Sequence, residues 1–195
     1  MADITHGTWI NNGTPVDEVF SNGRQVYGRN LLINSSSSAT NKYTMIPGAS
    51  ANITGVYSRT DSYEQVIASS GFVELFYRPM VPSTSNLYGL TPGETYTLSG
   101  SASHTTGELK FRAGYGTNGK WSGSDITDLG IAVSDGSVFT PFSYTFTIPV
   151  GVSGAYISLQ NYDYTAGGLF RFNNMKLEKG SVATPWTLSP EDILN

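Results

Sequence analysis

The chain has 195 residues, enough for one β-rich domain of ordinary size plus a short appendage. Eleven Lys and Arg stand against 15 Asp and Glu, for a net charge of -4, and only 13% of residues are charged. That scarcity of cations excludes a broad phosphate-neutralising surface, so nucleic acid is not an expected partner. The aromatic content of 12%, with 22 Gly and 9 Pro, suits strands joined by tight turns and not helical bundles or charged disorder.

With no cysteine, a disulfide framework and thiolate metal sites are excluded. The opening MADITHGTWINN lacks a basic region followed by an apolar run, so no secretory leader is expected. No stretch approaches the roughly 18–20 apolar residues of a membrane span, so no membrane insertion is expected.

Residues 1–29 read as a small connector. Two short apolar patches are separated by Asn12-Gly13 and Asn22-Gly23, and Asn-Gly favours the positive φ angles of a hairpin turn. Asn30-Leu31-Leu32-Ile33 follows as a compact apolar run that stops at Ser35. Phe72, Val73, Leu75 and Tyr77 lie in another run, closed by Pro79 and Pro82.

Pro92-Gly93 presets a turn, after which Thr95 to Ser99 alternates with period two and points Tyr96 and Leu98 inward. The same alternation recurs at Leu109, Phe111, Ala113 and Tyr115, with Lys110 and Arg112 opposite. It returns at Phe142, Tyr144, Phe146 and Ile148, at Ile157 and Leu159, and from Leu169 to Glu178. A helix start is signalled only at Ser189-Pro190-Glu191-Asp192. Short strands with one apolar and one polar face predict an all-β, two-sheet antiparallel β-sandwich, a jelly roll, over 30–188. A short tail, 189–195, follows it.

Three segments carry a family signature. Gly28-Arg29-Asn30-Leu31-Leu32 with Asn34 opens the domain, and Leu90-Thr91-Pro92-Gly93-Glu94-Thr95-Tyr96-Thr97-Leu98-Ser99-Gly100 lies in its middle. The run from Phe172-Asn173-Asn174-Met175-Lys176-Leu177-Glu178 to Thr184-Pro185-Trp186 closes it. Over about residues 28–188 the chain resembles the jelly rolls, akin to carbohydrate-binding module families 4, 9 and 22, of tail and baseplate proteins from phages of Gram-positive bacteria. In particular it looks like the accessory baseplate module of lactococcal-type siphophages.

The resemblance implies a non-catalytic module of the virion that acts at the host cell surface. Its implied partners are host cell-wall polysaccharide and other phage tail or baseplate proteins. Related modules follow the opening Asn with a Phe-Glu pair that helps hold a structural calcium. Here Ser35 to Ser38 stand instead, so no cofactor is expected.

A glycan site needs flat apolar platforms and planar polar groups that read hydroxyls. Arg112 to Trp121 offers Arg112, Tyr115, Asn118 and Trp121 around a Gly-rich loop. Tyr156 to Tyr164 offers Tyr156, Ser158 and Gln160 on the non-core face of one strand, then Tyr162, Asp163 and Tyr164 in its turn. Tyr57 to Tyr63 forms a polar segment in which Arg59 and Asp61 suit a side-chain pair. Alternation allows Arg112, Gln160 and Arg171 to share one sheet face. The blander accounts are that Trp121 caps the sandwich end and that the Tyr156 row is an ordinary solvated face.

Hydrolysis of a glycan needs two carboxylates in one cleft, and the acids Glu74, Glu94, Glu108, Asp125, Asp128 and Asp163 form no obvious pair on one strand face. His6 and His104 have no second ligand at metal spacing. The alternative to a glycan binder is a purely structural tail or baseplate module with no glycan ligand.

Overall fold

The computed structural model describes residues 2–5, 7–35, 44, 55–68, 73–75, 86–162 and 166–194, and for residues 2–5, 73–75, 161 and 162 the backbone alone. The N-terminal strands are β1 (Ala2–Thr5), β2 (Thr8–Asn11), β3 (Thr14–Pro15), β4 (Glu18–Ser21) and β5 (Arg24–Gly28). Next come β6 (Gly55–Arg59), β7 (Glu64–Ala68), β8 (Val73–Leu75), β9 (Thr95–His104) and β10 (Glu108–Thr117). The chain closes with β11 (Lys120–Asp128), β12 (Thr140–Thr147), β13 (Gly154–Tyr162), β14 (Leu169–Lys179) and the short helix α1 (Pro190–Leu194).

Two antiparallel sheets form the main body, one ordered β11-β10-β13-β8 and the other β12-β9-β14-β7-β6. Inward rows predicted from period-two alternation meet between them. Leu109, Phe111, Ala113, Ile157 and Leu159 from the first sheet share one core with Leu98, Phe142, Phe146, Phe170 and Phe172 from the second. Contact across the gap is direct: the Phe111 ring lies 4.7 Å from Tyr144 and 4.9 Å from Phe146, centroid to centroid. The β-sandwich expected from the alternation is the observed fold.

The closing signature changes sides in mid-strand. In β14, Phe170 and Phe172 face the core, and a register shift between Asn173 and Lys176, with Asn174 at φ 51°, inserts a bulge. Asn tolerates that left-handed conformation better than most residues. Beyond it the inward residues are Met175 and Leu177, and Lys176 and Glu178 turn to the outer face.

Asn30 locks this bulge. Fully buried, it donates from Nδ2 toward Ser35 Oγ (3.0 Å), Met175 O (3.2 Å) and Thr187 O (2.9 Å). Its Oδ1 accepts from Leu32 N at 3.0 Å and Leu177 N at 3.3 Å. The run 30–33, read from sequence as an apolar stretch, is irregular apart from a bridge at Ile33, and Leu31 N donates to Leu177 O at 2.8 Å.

The connector consists of a three-stranded sheet, β1-β2-β3, and the β4–β5 hairpin, with Asn-Gly turns at Asn12-Gly13 (φ 49° and 78°) and Asn22-Gly23 (φ 50° and 75°). Its end is clamped over Lys176 and Glu178, which pair at 3.5 Å beneath it. Thr184 donates from N and Oγ1 to the Glu178 carboxylate at 2.8 and 2.6 Å, and Lys176 Nζ donates to Thr184 Oγ1 and to Pro185 O. Gly28 packs so tightly here that a Cβ would stand 2.1 Å from a Glu178 carboxylate oxygen. Burial opposes charge on both members, pushing Glu178 up and Lys176 down from their ordinary values. At the far end, Ser189 caps α1 and Arg29 pairs with Asp17 and Glu191.

Candidate functional site

The outer face of the four-stranded sheet follows from its register. Arg112 stands opposite Ile126 on one side and Ser158 on the other, and Gly114 opposite Ser124 and Tyr156. Beyond a bulge at Tyr115/Gly116, Gly116 stands opposite Trp121 and Gly154. Parity therefore puts Trp121, Arg112, Tyr156, Ser158 and Gln160 on one face, around a strip of backbone that has no side chains at Gly114 and Gly116.

The Gly-rich segment read as a loop is instead a hairpin. β10 and β11 continue to either side of Asn118-Gly119, whose φ values of 51° and 75° repeat the geometry of the two Asn-Gly turns in the connector. The same Asn-Gly signal was present in the sequence, and the surrounding glycines obscured it. Trp121 is consequently a strand residue at the second position of β11.

Trp121 leans across β10 and stacks on Tyr156, with centroids 5.6 Å apart and planes at 25°. Gly114 makes this possible, because a Cβ there would lie 2.5 Å from the indole and 2.2 Å from the Tyr156 ring. The Arg112 guanidinium carbon sits 5.8 Å from the Trp121 centroid and 5.6 Å from that of Tyr156. A planar cation beside two aromatic rings is the geometry of cation–π attraction. The indole is 43% exposed, so part of the platform is open to solvent.

The remaining sequence candidates distribute unevenly. Tyr115 belongs to the inward row: it is 6% exposed and donates from its hydroxyl to Asp125 at 3.2 Å. Burial, then the neighbouring Asp125 carboxylate, pushes the Tyr115 phenol above its ordinary value. The core alternation decides its side, so it does not join the platform. Asn118 is exposed at the hairpin tip, where its backbone N donates to Ser153 Oγ at 3.1 Å. Gln160 does lie on the outer face, yet it is 0% exposed, which corrects the expectation of a solvated Tyr/Gln row. Tyr162 ends β13 and its side chain lies outside the described residues, as do Asp163 and Tyr164 entirely.

Arg171 is on the other sheet, which corrects the expectation that it shares a face with Arg112 and Gln160. From β14 it lies over the Tyr63 ring at 4.8 Å, donates from Nε to Gln65 at 2.8 Å and from Nη1 to Gly136 O at 2.6 Å. Spacing along one strand sets parity but not the sheet to which that strand belongs.

The Tyr57–Tyr63 segment is largely the β6–β7 hairpin, and Arg59 pairs with Glu64, not with Asp61. Tyr57 donates to Glu64 at 2.7 Å, and Arg59 also reaches Asn34 O and Thr44. This network ties strands together and leaves no open polar pair. His104 is buried with its ring nitrogens 3.0 Å from Thr106 O and 2.8 Å from Ile131 O. Glu94 and Glu108 pair with Lys179 and Lys110. Among the described residues no group of three His, Asp or Glu is placed to hold a metal ion.

The sandwich belongs to a class of jelly rolls met in solved structures. A chain of the tripod from the baseplate of bacteriophage Tuc2009 shares 22% identity with a TM-score of 0.51, over 86% of this chain and 61% of that one. Tailspike protein 4 of bacteriophage CBA120, in its enzymatically active domain, matches at 14% identity and TM-score 0.48, over 77% of this chain and 21% of that one. A family 16 carbohydrate-binding module matches at 17% and 0.45, over 76% and 99%. This chain thus spans about three fifths of the tripod chain and a fifth of the tailspike. No family model matches the sequence, and no curated protein matches it.

Proposed function

We propose that this chain is a non-catalytic carbohydrate-binding module of a phage tail or baseplate protein, holding host cell-wall polysaccharide during adsorption and working beside other tail proteins of the virion. The observation that carries the reading is the half-open Trp121 indole, stacked on Tyr156 and flanked by Arg112 on one sheet face. An indole face matches the C–H face of a pyranose, and a guanidinium reads adjacent oxygens in pairs. The shared fold with the Tuc2009 baseplate chain supports the setting.

A shallow site of this kind gives single-site affinities on the order of 10 μM to 1 mM, about -4 to -7 kcal/mol. Several copies on one particle would convert that into firm attachment. The test is labelling of Gram-positive cells by a fluorescent fusion of the full chain. Trp121→Ala is expected to abolish labelling and to lower stability by only about 1–2 kcal/mol, since it removes one half-exposed ring contact.

A purely structural tail module is the second reading, favoured by Phe20 and Val26, large apolar side chains exposed on the β4–β5 hairpin. Failure of the folded wild-type fusion to label any strain would leave that reading in place of the first.

A further inference from the structure

We infer that the Trp121 site selects glycans bearing an anionic substituent, a carboxylate or a phosphodiester, and that Arg112 is the residue that selects them. The inference rests on the glycan-binding reading and narrows it. It comes from comparing the cations among the described residues. Arg29 is paired with Asp17 and Glu191, Arg59 with Glu64, and Arg171 is hydrogen-bonded to Gln65 and Gly136. Lys110, Lys176 and Lys179 each face a glutamate.

Arg112 differs. Among the described residues its side chain makes no hydrogen bond and no ion pair, and its guanidinium lies beside the two rings. Its Nε is buried and unpartnered. Directly across the sheet register, Ser158 is 1% exposed and its Oγ is likewise unpartnered. Buried polar groups are nearly always hydrogen-bonded, and leaving one unmade is costly. Here a guanidinium and a hydroxyl, neighbours on one face, both keep unspent hydrogen-bonding capacity beside a sugar-sized platform.

A guanidinium held beside two rings, with no hydrogen-bonding partner of its own, is suited to a planar or tetrahedral oxyanion, which guanidinium groups bind bidentately. A neutral hydroxyl would use only part of that capacity. The aromatic pair supplies stacking that any pyranose can use, so charge discrimination falls to Arg112.

The test titrates the full chain, by tryptophan fluorescence and calorimetry, with oligogalacturonate, with its methyl ester, and with poly(glycerol phosphate). The wild type is expected to bind at least one charged probe about tenfold more tightly than the neutral ester, with the preference shrinking as salt rises from about 20 to 300 mM. The two charged probes separate carboxylate from phosphate as the source.

Arg112→Gln is expected to weaken binding of every probe and, beyond that, to bring the charged-to-ester ratio to about one, whereas Arg112→Lys keeps part of that ratio. Equal wild-type affinity for charged and neutral probes, a preference that survives Arg112→Gln, or no binding of either charged probe by a protein that still labels cells would overturn the inference and leave the glycan reading standing. Loss of both cell labelling and all probe binding in the folded wild type would sink the underlying reading itself.

Discussion

Gly114 and Tyr156 face one another across β10 and β13, and the tyrosine ring occupies the space a Gly114 side chain would fill, 2.2 Å from the position of a Cβ. Trp121 fills the same space from the opposite strand. The aromatic platform therefore depends on a glycine within a strand, where that residue ordinarily weakens pairing.

Substituting Gly114→Ala tests this dependence. The methyl must displace two rings, so a loss of about 1–3 kcal/mol in urea unfolding is expected, as for other overpacked sites. The near-UV circular dichroism of the Trp121–Tyr156 pair should fall as well, and cell labelling with it. A fully stable variant with an unchanged aromatic signal would show that the rings do not rely on the gap.

Asn30 offers a second test, at the domain's opening signature. Its amide serves the chain at Ser35, Met175, Leu177 and Thr187, and Asn30→Ala leaves buried backbone groups without partners. A destabilisation of about 2–4 kcal/mol is expected from equilibrium unfolding. Glycan binding by the fraction that remains folded should be unaltered, because the outer face of the four-stranded sheet lies elsewhere.

The pH dependence of the C-terminal helix anchor has a definite sign. Burial opposes ionisation of Glu191, but hydrogen bonds from Ser189 and from its own backbone N–H, then the Arg29 guanidinium, outweigh it and hold the carboxyl below its ordinary 4.5. A carboxyl with a depressed folded value contributes stability that is present above the unfolded value and lost as pH falls through the folded one. Thermal unfolding of the wild type and Glu191→Gln should therefore differ at pH 6–7, and the difference should shrink as pH falls below the carboxyl's ordinary 4.5. A gap that stays constant across that range would remove Glu191 ionisation from the account.

Sequence alone determined the elements whose information is local. Period-two rows at Leu109–Tyr115, Phe142–Ile148 and Ile157–Leu159 predicted strands with the correct core faces, because a pleated strand alternates sides whatever its neighbours are. Asn12-Gly13 and Asn22-Gly23 announced their hairpins, and Ser189-Pro190 its helix start, because φ preference and capping act within a few residues. The outward side of Arg112 and Tyr156 was legible for the same reason.

Tertiary structure alone decided which outward residues meet. Arg171 and Arg112 have the same strand parity, yet they lie on different sheets. Trp121 reaches Tyr156 only because β10 separates their strands with a glycine at the crossing point. Gln160 is outward by alternation but closed off. Strand partners are chosen by long-range hydrogen bonding and by the burial of whole faces, and neither leaves a mark in the spacing of residues along one strand.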